Sequence, residues 1–193
     1  DSGIIGGIPL SGLDMGAAVN AEAELKMADM FDICHGGGLD LCALGLAEID
    51  AMGNVNVSKF HGRVTGPGGF IDLAQHTKKL ILMGTFTAGG LREHCEGGRL
   101  VIDREGKYQK FKTDIEQVTF SGDYAAAHGQ HVLVVTERAV FRLTPQGLML
   151  TEIAPGVDLE RDILSQMEFR PLIADDLQLM DGRIFQPNPM GLS

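Results

Sequence analysis

Two apolar stretches, LDLCALGLAEI at residues 39–49 and KLILMGTF at residues 79–86, decide the fold. Both are mostly apolar and short enough to be strands buried on two faces, which implies an α/β sheet covered by helices. Glycine strings lie beside such runs: GIIGG (3–7), GGG (36–38), GPGG (66–69) and TAGG (87–90). Strands that end in tight loops give this pattern. Met27, Met30, Phe31 and Cys34 recur at the spacing of one helix face, with Glu22, Glu24, Lys26 and Asp29 on the others, so residues 20–34 are predicted to form an amphipathic helix.

The second half reads differently. RLVID (99–103), FKTDIEQVTF (111–120), HVLVVTE (131–137) and AVFRLTP (139–145) are β-branched or alternating, which predicts antiparallel strands and hairpins. LMLTEIAPGVDLERDIL (148–164) predicts a strand, a turn at Pro155 and Gly156, and a helix capped by Asp158. PLIADDLQLMDGRIFQPNPMGLS (171–193) is expected to trail over the surface. The architecture expected is one α/β domain over residues 1–193: an open mixed sheet with flanking helices and antiparallel hairpins in its second half.

Composition narrows the function. With 193 residues, 44% hydrophobic and 22% charged, the chain can bury about two thirds of its unfolded surface around one core. A net charge of -10 and 16 scattered Lys and Arg argue against a phosphate-tracking groove, so nucleic acid is not an expected partner. No run of eighteen uncharged apolar residues and no basic leader followed by an apolar segment occurs; neither a membrane span nor a signal peptide is expected, and the location expected is cytoplasmic. Cys34, Cys42 and Cys95 lack CxxC spacing and are read as small buried hydrophobes. His61, His76, His94, His128 and His131 show no ligand spacing, so no metal is expected. HGGG (35–38) is not followed by GxSxG and reads as a chain reversal after the helix. The chain begins at Asp1 and runs straight into glycines, as a fragment would.

The ordered motifs DSGIIGGIP (1–9), FDICHGGGLDLCALGLAEIDAMGNVNVSKF (31–60), GPGGFIDLAQHTKK (66–79), GTFTAGG (84–90) and LTEIAPGVDLERDI (150–163) together resemble the β half of family I coenzyme A transferases, of the acetate and propionate type. Taken alone, GPGG is a tight turn into the helix opened by Phe70, Ile71 and Asp72. Asn54 and Asn56 would serve their own backbone, Lys59 and Arg63 would be solvated, and Glu48 would be a satisfied structural carboxylate or a buried acid.

The resemblance implies more. Position 1, Glu in the family and Asp1 here, is the nucleophile that forms an acyl anhydride and then an enzyme-CoA thioester. Gly69 is the oxyanion donor, with Gly68 as the near alternative; of the CoA-binding candidates Asn54 and Asn56, one amide, that of Asn54, faces the thioester or pantetheine, and Lys59 and Arg63 are the candidates to meet the CoA phosphates. Coenzyme A is a substrate, with no permanently bound cofactor. The implied partners are acyl-CoA, short-chain carboxylic acids and an α half upstream of this chain, in a homo-oligomer. Aspartate withdraws the carboxylate by about 1.5 Å, and a misplacement near 1 Å costs roughly 10²-fold in rate, so a chain starting at Asp1 is expected to be inactive as it stands. Two other readings use the same residues: an acyl-CoA hydrolase that admits water, and a non-catalytic half that binds CoA or supports an assembly.

Overall fold

The computed structural model describes residues 2–14 and 16–192; the expected nucleophile, Asp1, lies outside the described residues. Six strands form the central sheet: β1 (Leu41–Gly45), β2 (Lys79–Met83), β3 (His131–Val135), β4 (Ala139–Thr144), β5 (Gly147–Ile153) and β6 (Leu172–Leu179). Their spatial order is β6-β5-β4-β3-β2-β1. β1, β2 and β3 run parallel, with Leu80 opposite Cys42 on one side and Val132 on the other. β3, β4 and β5 form an antiparallel meander, and β6 returns parallel to β5. Both apolar runs therefore supply parallel strands, but they are not buried on two faces as expected: β1 is a sheet edge with Leu41 exposed, and β2 buries Leu80 and Leu82 on one face while Met83 is exposed. The runs at 131–137 and 139–145 supply the antiparallel strands.

Three short helices, α1 (Met27–Ile33), α2 (Phe70–Ala74) and α3 (Gly122–Ala127), accompany the sheet. None is long and apolar enough to cross a membrane among the described residues. The Ser121 hydroxyl caps α3 by accepting the Tyr124 N–H at 3.2 Å. Leu80, Leu82, Val134, Phe141 and Leu150 are fully buried. Phe111 stacks on Phe86 at 4.5 Å between centroids and lies 5.0 Å from Phe141, filling the core with offset rings. HGGG reverses the chain as expected: α1 runs into a wide turn over Cys34–Gly38, with Gly37 at φ 83°. The turn after Pro155 leads to Asp158, whose carboxylate accepts the Arg161 N–H at 2.7 Å and opens the helical turn Leu159–Ile163.

Four expectations need correction. Residues 20–26 are not helical. Ala18–Val19 pairs with Ile8–Pro9, and Ala23–Glu24 pairs with Ile4–Ile5, in two small antiparallel ribbons. The Glu22 and Leu25 N–H groups donate to Ile5 O (2.9 Å) and Gly3 O (2.8 Å), so they cannot serve a helix. Gly3, at φ 81°, lies so close to the Leu25 carbonyl that any side chain there would collide with it. Residues 111–120 form no strand. They make only bridges at Phe111 and Phe120, because their polar groups are spent on the loop they cross. The C-terminal stretch is not a surface tail: β6 is a sheet edge, and Met180 and Phe185 are buried beside Leu100 and Ala154. Of the cysteines, Cys34 is buried, Cys42 is half-buried with its thiol pKa pushed up by burial, and Cys95 is exposed on the ribbon Arg92–Glu96.

Candidate active site

The chain leaving the carboxyl end of β1 makes a compact loop before it reaches GPGG. Glu48–Ile49 pairs antiparallel with Val55–Asn56, and Lys59–Phe60 pairs with Arg63–Val64. The second hairpin turns at His61 and Gly62, both left-handed at φ 51° and 73°, as a tight two-residue β-turn requires.

Asn56 organises this loop. Its side chain is fully buried, and its amide donates to Glu48 Oε2 at 2.8 Å and to the Lys59 carbonyl at 2.6 Å. Its carbonyl oxygen accepts the Ser58 and Lys59 N–H groups, each at 3.1 Å. Asn54 is equally engaged: its amide donates to Asp50 Oδ2, and its oxygen accepts the Gly122 N–H, both at 2.9 Å. The two carboxamides therefore shape the loop: Asn56 serves its own neighbouring backbone, as the local reading has it, whereas Asn54 bonds the Asp50 side chain and the distant Gly122. Glu48 is a hydrogen-bonded partner of Asn56 rather than an isolated acid. Lys59 is half-buried, and its ammonium makes no ion pair among the described residues.

A strap from a distant part of the chain holds the loop in place. Glu116 accepts the His61 and Gly62 N–H groups, the latter at 2.8 Å, and these bonds, Gly62 first, hold its carboxyl below the ordinary range. Thr119 Oγ1 accepts the Val57 N–H at 3.2 Å and is hydrogen-bonded to Ser58 Oγ at 2.8 Å, where either hydroxyl can donate. Val55 bridges Phe120, and Gly122 reaches Asn54. Sequence reasoning missed Glu116 and Thr119, which fall inside the stretch read as a strand and carry no motif.

GPGG hangs from the same loop. The Ser58 carbonyl accepts both the Thr65 N–H (2.9 Å) and the Gly66 N–H (3.1 Å). The Pro67 carbonyl accepts the Phe70 N–H at 3.2 Å, starting α2, and Gly68 between them is left-handed at φ 54°. The N–H groups of Gly68 and Gly69 make no hydrogen bond among the described residues. Gly68 is exposed and Gly69 half-buried, so two backbone donors stand available, as the start of a helix leaves them. The structure thus places Asn54, Asn56 and Lys59 in one loop unit, to which Gly66 is tied through Ser58, with Gly68 and Gly69 following it in the chain. No hydrogen bond among the described residues links that unit to the ribbons at the chain start, where position 1 lies in sequence.

Beside Glu48 opens a cleft of about 440 Å³, lined also by His61, Lys107, Tyr108, Lys112 and Glu168. It lies past the carboxyl ends of β1 and β2, where open α/β sheets hold their ligands. The loop after β3 buries Arg138 completely. Its guanidinium grips Glu105 with both terminal nitrogens (2.5 and 3.2 Å), takes Glu137 at 2.6 Å, and donates to the Asp162 carbonyl at 3.0 Å. Lys110, nearly buried, donates to the Thr85 carbonyl at 2.9 Å; burial lowers its pKa, and Glu137 partly opposes the shift.

No family model matches the chain. Known proteins do. Acetate CoA-transferase YdiF of Escherichia coli strain K12 is 50% identical over 191 residues, which cover 99% of this chain and 36% of that protein. Caffeate CoA-transferase of Acetobacterium woodii is 47% identical over 199 residues, covering 98% of this chain and 37% of its own length. The β subunit of acetate CoA-transferase from Escherichia coli strain K12 is 32% identical over 83% of this chain and 64% of that subunit. In solved structures, the acyl-CoA transferase YdiF of Escherichia coli O157:H7, as a thioester complex with CoA, matches with a TM-score of 0.91 and 48% identity, over 100% of this chain and 36% of that one. The chain spans about a third of the length of the first two of these relatives. Matched from end to end by such transferases, and over most of its length by a protein named as a β subunit, the chain belongs to the family I CoA transferases and corresponds to their β half.

Proposed function

We propose that the protein containing this chain transfers coenzyme A between a short-chain acyl-CoA and a carboxylic acid such as acetate or propionate, and that this half carries the nucleophile position and the oxyanion donors. The observation that carries the reading is the pair of unspent N–H groups at Gly68 and Gly69, on a loop fixed through Ser58, in a chain matched throughout by CoA transferases.

A carboxylate oxygen at position 1 attacks the thioester carbonyl. The C–S bond breaks, CoA leaves as thiolate, and an anhydride remains. The thiolate then attacks the side-chain carbonyl of position 1 and releases the donor acid, leaving an enzyme-CoA thioester; the acceptor acid runs both steps in reverse. Each addition puts negative charge on a carbonyl oxygen, and fixed backbone donors stabilise that charge without reorganising. Gly69 is the donor in this reading and Gly68 its neighbour. Asn56 and Asn54 act by holding the loop, while the Lys59 ammonium, without an ion pair among the described residues, is available to a CoA phosphate. An upstream α half completes the site, covers the ribbons at the chain start and excludes the water that would hydrolyse the anhydride. In their favour, Ile5, Ile8 and Val19 on those ribbons stand about half exposed or more.

The test is intact mass of the full-length protein after incubation with acyl-CoA, followed by borohydride reduction and mapping of the peptide over residues 1–7. CoA added at position 1, or its reductive loss there, supports the reading. An unmodified peptide alongside CoA transfer overturns it, and thioester loss without an acceptor acid turns it into hydrolysis.

A further inference from the structure

A cavity of about 350 Å³ lies at the chain start, bounded by Ser2, Ile4, Pro9, Leu10, Ala17 and Ala18 with two glycines. One of those glycines, Gly16, faces Ser2: a Cβ built on it would lie 3.7 Å from the Ser2 Cβ. The Leu10 N–H donates to the Ala17 carbonyl at 3.0 Å, which holds Ala17 beside Leu10 at the cavity. Among the described residues the lining holds no ionisable side chain. That excludes the phosphates and the charged end of CoA, whose burial there would leave charge unpaired. The volume is at the low end for small-ligand sites, too small for acyl-CoA as a whole and ample for its acyl group.

We propose that this cavity receives the acyl group of the substrate, and that Leu10, Ala17 and Ala18 set the acyl length the enzyme accepts. The inference rests on the reading that position 1 forms the acyl anhydride: the acyl group bonded there must lie within reach of Ser2, and this neutral cavity is built against Ser2. Small residues at positions 17 and 18 leave the room, and Leu10 limits it.

The experiment measures kcat/KM of the full-length enzyme with acetyl-, butanoyl- and hexanoyl-CoA, read as the hexanoyl-to-acetyl ratio. Ala17→Leu is expected to lower that ratio by about tenfold or more, the discrimination that added carbon volume gives in an apolar site. Leu10→Ala is expected to raise it. Ala23→Leu makes the same chemical change on the neighbouring ribbon, outside the cavity, and leaves the ratio where it was. An unmoved ratio in both cavity variants, or an equal shift in Ala23→Leu, overturns the proposal. If the unsubstituted enzyme only hydrolyses acyl-CoA, the transfer reading fails, while the ratio still judges the cavity because hydrolysis passes through the same acyl group. No turnover of any acyl-CoA by the unsubstituted enzyme overturns both.

Discussion

Asn56→Asp would place a carboxylate oxygen where an amide now donates to Glu48 Oε2 at 2.8 Å and to the Lys59 carbonyl at 2.6 Å, while keeping the oxygen that accepts Ser58 and Lys59. Two unit charges at that separation repel by about 6 kcal/mol at an effective dielectric of about 20. Taking up one proton costs less. At about 1.4 kcal/mol per pH unit above an unfolded carboxyl pKa near 4, the uptake costs about 4 kcal/mol at pH 7 and about 1.5 kcal/mol at pH 5. The bound proton also replaces the lost donor. The folded variant then holds one more proton than its unfolded chain, so its stability falls as pH rises above about 4. Urea midpoints at pH 5 and pH 7, for the parent and for Asn56→Asp, measure this. The double variant Glu48→Gln with Asn56→Asp restores a donor opposite the new acid and should recover most of the loss at pH 7. A deficit equal at both pH values, or a double variant no better than the single one, would refute the view that the Glu48–Asn56 bond holds the loop.

Gly69→Pro deletes one backbone N–H at a φ of -81° that proline tolerates; kcat of the full-length enzyme should fall by about 10²–10³-fold, whereas Gly69→Ala, which keeps the donor, should retain most of it. Glu105→Ala strips the two-pronged partner from the fully buried Arg138, leaving Glu137 as its ion partner, and should cost about 1–3 kcal/mol in denaturant unfolding; Glu105→Ala with Arg138→Met should return part of that loss. The Arg161 guanidinium, bonded at 2.7 and 2.8 Å, holds the Asp162 carboxyl below its usual range. Its contribution is therefore full above the ordinary aspartate pKa and is lost as pH falls through the lowered one. Asp162→Asn should flatten the thermal midpoint against pH in that acid window.

The sheet was legible where burial imposes a pattern. Leu80 and Leu82 in β2, and Val132 and Val134 in β3, are apolar because they share the covered face, while Met83 and Leu133 on the other face stand exposed. β6 was not legible because an edge strand keeps polar residues: Asp175, Asp176 and Gln178 stand in it, and its pairing with β5 slips between Leu150 and Glu152. The ribbons at the chain start were hidden for another reason. Two-residue strands are too short to show a period, and the apolar residues from Met27 onward lent their helical spacing to a segment whose donors were already committed. At the candidate site, the glycine pattern marked where the donors would stand. It could not show that Asn54 and Asn56 are spent on the loop, since that depends on Glu48, Asp50 and Gly122 as neighbours.

The strap over residues 116–122 also bears on how the protein is made. Its bonds to the loop span 54 residues from Gly62 to Glu116, 61 from Ser58 to Thr119 and 68 from Asn54 to Gly122. During synthesis the loop and its glycine donors are complete long before the segment that fixes them leaves the ribosome. Such distant closures are slow because their entropy is spent before any contact rewards it. The donors thus reach their final positions late, once α3 begins to form, and a nascent chain stalled before residue 116 would carry every residue of the loop without its geometry.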